Sequence, residues 1–178
     1  MTRALTQFLR RFRKNEDGQM LIEFTLLVPL IFTMFMTSIE MSIYSLQQVF
    51  LDRGLDMTVR EIRLSTGTAP QHDELKDLIC QYSGFLTDCS STLRLEMVPV
   101  DPRNFSSLPG AADCIDTSEP VLPPRGFVNG QSHQVMLLRA CVKFDPVFPT
   151  SGLGKSFSKD GSGKAQMISV AAFVQEPS

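Results

Sequence analysis

The sequence predicts an α+β protein with a single N-terminal transmembrane helix. This helix is expected to continue as a long amphipathic helix, packed on a small antiparallel sheet of about three strands with long loops. Two observations predict the helix: a nearly unbroken apolar run at residues 20–39, and helical periodicity in the residues after it. The third observation is a set of three strand-like runs joined by polar connections, which favours an antiparallel sheet.

The apolar run, MLIEFTLLVPLIFTMFMTSI, has the length of a membrane-spanning helix. Twenty helical residues rise about 30 Å, which is the thickness of the hydrocarbon core of a bilayer. Residues 1–18 contain five basic and two acidic residues, and few basic residues follow the run closely. The positive-inside rule therefore predicts a cytoplasmic basic leader at 1–18, a transmembrane helix at 19–43 and an exported remainder.

Two other interpretations of this run stay open. The run can be the uncleaved anchor of a plain periplasmic binding or sensory domain. It can also be the cleaved signal of a secreted disulfide protein, although the sequence Thr37-Ser38-Ile39-Glu40 is a poor signal peptidase site because it lacks the usual small residues.

The helical pattern continues beyond the apolar run, and we predict one helix from about residue 17 to residue 65. Residues 44–67 form its periplasmic extension, and Gly67 and Pro70 supply the stop signal. The apolar residues recur at helical spacing on one face, which is expected to bury them against the sheet: Tyr44, Leu51, Leu55, Val59 and Ile62.

Residues 68–178 are expected to form an α+β periplasmic domain tied by disulfides. A short second helix is predicted at 72–82, and strands are predicted at 92–98, 135–144 and 166–174. A proline-rich irregular loop occupies residues 99–132. The glycine- and lysine-rich segment 151–164 lacks the order of a phosphate-binding loop, so we interpret it as a flexible hairpin connection.

All four cysteines lie in the predicted exported part, where an even number indicates two disulfides. Four cysteines allow three pairings, and the sequence alone does not choose among them. The short spacing makes Cys80–Cys89 the first guess, with Cys114–Cys141 second. A zinc site is not expected, because no Cys-x-x-Cys occurs and neither histidine lies at ligand spacing.

No motif for catalysis, cofactor binding or nucleic-acid binding is present. There is no Gly-x-Ser-x-Gly, and His72 and His133 have no triad arrangement. From Met41 onward the chain has 12 basic and 15 acidic residues and no basic stripe, which argues against nucleic acid as a partner. We therefore expect a protein that is not an enzyme and that holds no metal or cofactor.

One residue is unusual for a membrane anchor: the carboxylate of Glu23 lies just inside the apolar run. A charged group costs roughly 2.5–3.5 kcal/mol at the centre of a membrane helix and less near its ends. Glu23 can reach the interface from its position, or it can pair with a cation. If the chain were cut after Gly18, the new α-amino group of Gln19 would supply a cation at this depth, from a neighbouring subunit.

The basic segment, Gly18, the acid five residues later and the apolar run resemble the class III signal of type IV pilins and pseudopilins. More narrowly, the chain resembles TadE/TadF-like proteins of tight-adherence (Flp) pilus assembly. This resemblance rests on the following residues: Gly18, Glu23 and Phe24, Pro29, Ile39 and Glu40, Cys80 and Cys89, and the tail from Ala172 to Pro177.

The resemblance implies a minor pilin-like membrane protein of Tad/Flp type IV pilus biogenesis. A prepilin peptidase would cut between Gly18 and Gln19, and Glu23 and Pro29 would serve in assembly. Implied partners are this peptidase, other pilin-like subunits, the Tad inner-membrane platform and the lipid bilayer. The implied location is the bacterial inner membrane, single-pass, with a periplasmic C-terminal domain. Pro29 can alternatively produce a simple helix kink.

Overall fold

The computed structural model of the chain describes residues 18–64, 70–103, 110–115, 118 and 126–176. Residues 1–17 of the predicted leader, the stop signal at Gly67 and much of the proline-rich loop lie outside the described residues. The helices and strands are, in chain order, α1 (Gln19–Leu64), α2 (His72–Ser83), α3 (Cys89–Thr92), β1 (Arg94–Pro99), β2 (Val135–Phe144), α4 (Gly152–Ser156) and β3 (Ala165–Val174).

The chain divides into two compact units, Met1–Ile39 and Glu40–Ser178. In the first unit the described residues form the apolar part of α1, and their side chains are largely exposed. The second unit contains the rest of α1, the other helices and the sheet. The predicted α+β architecture, with one long N-terminal helix and a three-stranded antiparallel sheet, is confirmed.

Helix α1 has 46 residues, and its two halves differ in burial. None of the large apolar residues from Met20 to Phe35 is buried, whereas Leu51, Leu55 and Ile62 are almost completely buried. All five residues of the predicted core face, Tyr44 included, belong to the core cluster or pack against it. The seven-, four- and three-residue spacings were therefore a correct guide to the buried face.

The sheet has the order β1-β2-β3, and both strand pairs are antiparallel. Strand β2 covers the predicted residues 135–144, and β3 begins one residue before the predicted start. Strand β1 begins at Arg94 and not at Thr92, because residues 89–92 form the short helix α3 instead. The core lies between α1, α2 and one face of the sheet, with Leu95, Met136, Leu138, Val142 and Met167 as its fully buried sheet residues.

The face of β1 and β2 opposite the core carries charged residues, and these are largely buried. Arg94 pairs with Asp113 (3.0 Å), and Arg139 pairs with Glu96 (2.7 Å). The backbone N–H of Asp113 also donates to Glu96 (3.1 Å). Residues 110–115 therefore cover this face, and each buried charge has an ionic partner that offsets its desolvation.

Two disulfides join the cysteines as Cys80–Cys89 and Cys114–Cys141, the pairing that the spacing favoured. The first links α2 to α3, and the second links the loop that contains Asp113 to β2. Cross-links of this kind limit the conformations of the unfolded chain, and longer closed segments are limited more. The second disulfide holds a loop segment that has no strand or helix of its own.

The segment 151–164 is more ordered than the predicted flexible connection. It contains helix α4, followed by a turn in which the Asp160 carboxylate accepts hydrogen bonds from Ser162 and Lys164 backbone N–H groups. The same carboxylate pairs with the buried Lys143 on β2 (3.4 Å). The aspartate thus orders the glycine-rich turn by local hydrogen bonds and links it to the sheet.

Helices α1 and α2 approach each other most closely at Gly54. A Cβ atom at this position would lie 2.2 Å from Ser83 Oγ and 2.7 Å from the Ile79 carbonyl oxygen. Both distances are far below van der Waals contact, and the second atom belongs to the backbone. The packing of α2 on α1 therefore requires a glycine here, although glycine in the middle of a helix is destabilising.

We expect Gly54→Ala to destabilise the domain by about 1–3 kcal/mol through overpacking. This loss exceeds the roughly 1 kcal/mol that alanine gains over glycine in helix propensity. Urea unfolding of the full chain in detergent measures the change. The double variant Gly54→Ala/Ser83→Ala is the control, and it should recover part of the loss because it removes Oγ. Unchanged stability of the single variant would contradict the close approach.

Candidate functional site

The first turn of α1 contains the predicted processing site. Gly18 precedes the helix, Gln19 is its first residue, and the Ile22 N–H donates to the Gly18 carbonyl oxygen (3.1 Å). Gly18 is exposed, and a Cβ atom placed on it would meet nothing within 4 Å. Packing among the described residues therefore gives no reason for a glycine here. At Gly54, by contrast, the close approach of α2 is the reason for a glycine.

Glu23 lies one turn after Gln19, and its carboxylate is also exposed. The Gln19 side-chain amide Nε2 donates a hydrogen bond to Glu23 Oε1 (3.0 Å). The partner of this acid among the described residues is thus the neutral amide of its own chain and not the cation predicted from the sequence. The four-residue spacing between glutamine and glutamate was the available signal, because side chains at this spacing meet on a helix.

Pro29 lies inside α1, and the helix continues through it. Proline lacks the N–H that would otherwise bond to the carbonyl four residues earlier, which is that of Thr25. Nearby hydroxyls bond within the helix: Thr25 Oγ1 donates to the Leu21 carbonyl (2.6 Å), and Thr33 Oγ1 donates to the Leu30 carbonyl (2.8 Å). Such bonds allow hydroxyl residues to lie in an apolar helix surface at low cost.

The apolar half of α1 is long and apolar enough to cross a membrane. No residue in its most apolar 18-residue window is buried. A soluble core helix would bury this surface, so the exposure fits a single-pass membrane protein. The structure brings Gly18, Gln19 and Glu23 together in the first turns of this helix and places Pro29 further along it. The four cysteines lie elsewhere, in the unit Glu40–Ser178.

A second acid on α1, Glu40, follows the apolar run directly in the sequence. The structure gives its carboxylate a specific contact. Glu40 is 3% exposed, and its two carboxylate oxygens accept hydrogen bonds from the Val147 N–H (3.1 Å) and the Phe148 N–H (2.8 Å). A buried carboxylate requires such donors. The signal in the sequence was an acid placed directly after the apolar run, where helical periodicity alone assigns no partner.

An open groove of about 380 Å³ lies between the end of α1 and α2. It is lined by Met57, Arg60, Glu61, Leu64 and Tyr82. Among the described residues, no group of three or more His, Cys, Asp or Glu side chains could hold a metal ion.

One polar pair at this groove and one at the start of α2 each contain a group with a shifted pKa. The Tyr82 hydroxyl donates to Glu61 (2.9 Å), and this hydrogen bond raises the pKa of Tyr82 above 10.0. The hydrogen bond between His72 and Asp73 (2.9 Å) lowers the pKa of Asp73 below 3.8, and the charge of His72 adds to the effect. Both shifts arise from local hydrogen bonding.

Residues 18–60 match the family model of TadE-like proteins. This part of the chain is similar to TadE-like proteins. The match begins at Gly18, includes Glu23, Pro29 and Glu40, and ends at Arg60, inside the part of α1 that enters the core. Searches of the curated proteins and of the solved structures found no match to the chain.

The predicted resemblance to TadE-like proteins is thus confirmed for this segment. The match covers 43 of the 178 residues, so it concerns this segment alone. The match lies almost entirely in α1, so the exposed apolar helix and the site around Gly18 are the parts of the structure with a family assignment.

The raised pKa of Tyr82 can be tested by following phenolate absorbance against pH. The chain has two tyrosines, so a Tyr44→Phe background leaves Tyr82 as the only reporter. Its midpoint should lie above 10.0, and Glu61→Gln should lower it toward 10.0. Because the neutral phenol donates the bond, its stabilisation is present below pH 10.0 and is lost as pH rises through the raised pKa. An unchanged titration midpoint of Tyr82 in the Glu61→Gln variant would contradict the role of the Glu61 hydrogen bond.

Proposed function

We propose that this protein is a minor pilin-like component of Tad/Flp type IV pilus biogenesis. A prepilin peptidase removes residues 1–18 by cutting the Gly18–Gln19 bond on the cytoplasmic side. The apolar half of α1 then remains in the bacterial inner membrane, and the disulfide-tied domain lies in the periplasm. The protein itself performs no catalysis.

The observation that carries this proposal is the start of the TadE-like match at Gly18, the predicted cleavage position. The local structure supports it in two ways. Gly18 is exposed and has no packing role among the described residues, which fits a glycine recognised by an enzyme. The acid expected of a pilin-like signal, Glu23, lies one turn further on and is accessible to a neighbouring subunit.

Glu23 can accept more than one partner after the cut. Only Oε1 has a partner among the described residues, the amide of Gln19. The second oxygen is then the acceptor for the α-amino group of a neighbouring subunit. A cation and an anion that meet in an apolar environment neutralise each other, which offsets the cost of placing either one there alone. The pair would thereby align adjacent subunits along the helix.

The exposed apolar surface of α1 supplies the rest of the assembly element. It contacts lipid in the unassembled protein, and it contacts other pilin-like subunits or the inner-membrane platform during assembly. Pro29 marks a position where a backbone carbonyl lacks its usual helical N–H partner. A neighbouring helix with a hydroxyl donor can satisfy this carbonyl, which would favour packing at one level of the membrane.

Mass spectrometry of the mature N-terminus distinguishes this proposal from the two alternatives. A chain that begins at Gln19, with or without N-methylation or cyclisation, supports processing as a pilin-like precursor. An intact N-terminus supports a plain membrane-anchored periplasmic domain. A start near Met41 supports a secreted disulfide protein whose signal is removed.

We expect Gly18→Val to block cleavage without preventing membrane insertion. A side chain at this position meets nothing within 4 Å, so the substitution leaves the described packing unchanged. The measurement is the mass of the membrane-extracted protein in cells that contain the peptidase. Gln19→Ala serves as the control, because it changes the other side of the bond and keeps the glycine. Efficient processing of Gly18→Val would contradict recognition of this glycine.

We expect Glu23→Ala to insert normally and to impair pilus assembly. Removing a charge near the end of the helix favours insertion, by up to roughly 2.5–3.5 kcal/mol on scales for the helix centre. Loss of the pair with the neighbouring amine would reduce surface pili by about tenfold or more, for an interaction near 1.4 kcal/mol. Gln19→Leu is the matched control: it removes the side-chain bond to Glu23 and keeps the α-amino group, so it should retain pili when its mass shows that cleavage still occurs. Normal piliation of Glu23→Ala would show that the pairing role is wrong.

A further inference from the structure

The buried carboxylate of Glu40 holds the backbone at residues 147 and 148 next to the residue that follows the apolar run. Both oxygens of its carboxylate are bonded to backbone N–H groups, those of Val147 and Phe148. Among the described residues, no lysine, arginine or histidine forms an ion pair with it. The contact therefore serves to hold the backbone after β2 beside this point of α1.

The position of Glu40 relative to a membrane follows from the chain itself. Residues 19–39 are helical, and 21 residues of helix rise about 31 Å, the thickness of the hydrocarbon core. When the crossing segment ends with the apolar run at residue 39, rather than at the predicted residue 43, Glu40 lies at the membrane surface. Val147 and Phe148 are hydrogen-bonded to it, so they must lie at the same level.

The segment that follows has a composition suited to that level. Residues 146–159, PVFPTSGLGKSFSK, contain two lysines and no acid, whereas the exported part as a whole has more acidic than basic residues. Val147 is 45% exposed, and Lys155 is exposed. Lys159 Nζ donates to the Pro149 carbonyl, which ties the two ends of the segment. The acid just before the segment, Asp145, is paired with Lys164 (3.4 Å).

A partly buried aromatic cluster holds this segment against the domain. Tyr44, one turn after Glu40, packs against the buried Phe144 and against Phe157 of the segment, with ring centroids 5.7 and 5.3 Å apart. Apolar side chains at a membrane surface reach the acyl boundary, and lysines there interact with anionic lipids. An exposed valine and an exposed lysine on one segment match a lipid surface in both polarity and charge.

We propose that residues 146–159, the membrane-surface segment, bind the outer surface of the bilayer and contact anionic headgroups through Lys155. Glu40 sets the height of the segment at the surface. The contact would limit the tilt of the domain relative to the membrane. The inference rests on residues 19–39 crossing a membrane, and it does not depend on cleavage after Gly18.

The sheet offers a matched control position. Strands β2 and β3 pair from Phe144↔Ala165, next to the membrane-surface segment, to Val135↔Val174 at the other end. Nine residues of strand separate these ends by about 30 Å. Val174 is 48% exposed, close to the 45% of Val147. A probe at Val174 therefore has similar solvent exposure but lies far from the proposed surface.

The chain contains no tryptophan, so a single introduced tryptophan is a clean fluorescent reporter. Val147→Trp and Val174→Trp are each made in the full chain and reconstituted in phosphatidylcholine vesicles with and without phosphatidylglycerol. Lipids brominated near the headgroup end of their chains then quench fluorescence by contact. We expect about twofold quenching at 147, because an interfacial tryptophan lies near the acyl boundary, and little quenching at 174. Added phosphatidylglycerol should shift emission at 147 to shorter wavelength, and Lys155→Gln should reduce that shift.

Equal quenching at the two positions would overturn the inference. The Val147→Trp reporter could instead be shielded from acrylamide only at high protein density and not be quenched by brominated lipid. This result would identify a second copy of the chain as the partner, and it would also overturn the inference. Resistance to alkaline extraction, measured on the same vesicles, tests the membrane span separately. Protein that fails to insert would overturn the span itself, and inserted Val147→Trp protein whose fluorescence stays unquenched would overturn only the surface contact.

A second variant tests the role of Glu40 directly. Glu40→Gln replaces one acceptor oxygen with a donor, which cannot accept a backbone N–H. In the Val147→Trp background it should lower quenching toward the value at 174, while the circular dichroism spectrum and disulfides stay intact. Retained quenching in a folded Glu40→Gln variant would show that Glu40 does not set the height of the segment.

Discussion

The structure depends on one helix that serves two environments. The second half of α1 buries Leu51, Leu55 and Ile62 against the sheet, while the first half keeps its apolar residues on the outside. Burial of these three side chains contributes about 1.5–3 kcal/mol each relative to exposure. The same helix is therefore a core element at one end and a membrane element at the other, and it stays helical from Gln19 to Leu64.

The small sheet needs support on its second face, and irregular chain provides it. Helices α1 and α2 cover only one face of the three-stranded sheet. The other face carries charged residues such as Arg94 and Glu96. The loop at 110–115 covers them through the partner Asp113 and the disulfide Cys114–Cys141. Buried ion pairs of this kind add little net stability, but loss of either partner leaves an uncompensated charge. The disulfide thus protects an arrangement that would be costly to open.

Two acids on α1 illustrate how differently carboxylates are used along one helix. Glu23 is exposed and bonds to a side chain of its own turn, so its partners can be exchanged. Glu40 is buried and bonds to two backbone N–H groups distant in sequence, so its contact is fixed by the fold. An exposed acid near the predicted membrane end suits an assembly step, and a buried acid just beyond the apolar run suits a structural joint. The proposed roles of the two residues follow from this contrast.

The sequence by itself determined the features that depend on neighbours along the chain. The membrane-length run, the buried face of α1, strand β2 and the relation of Gly18 to Glu23 all follow from spacing, because helices and strands repeat side-chain direction at fixed periods. Only the tertiary structure decided the partners that come from distant parts of the chain. These are the contact of Gly54 with Ser83, the burial of Arg94 and Glu96 beneath a loop, the ion pair of Asp160 with Lys143, and the hydrogen bonds of Glu40 with Val147 and Phe148. These partners lie from 17 to 108 positions apart, and no periodicity relates them, because the meeting point is set by how the helices and sheet pack.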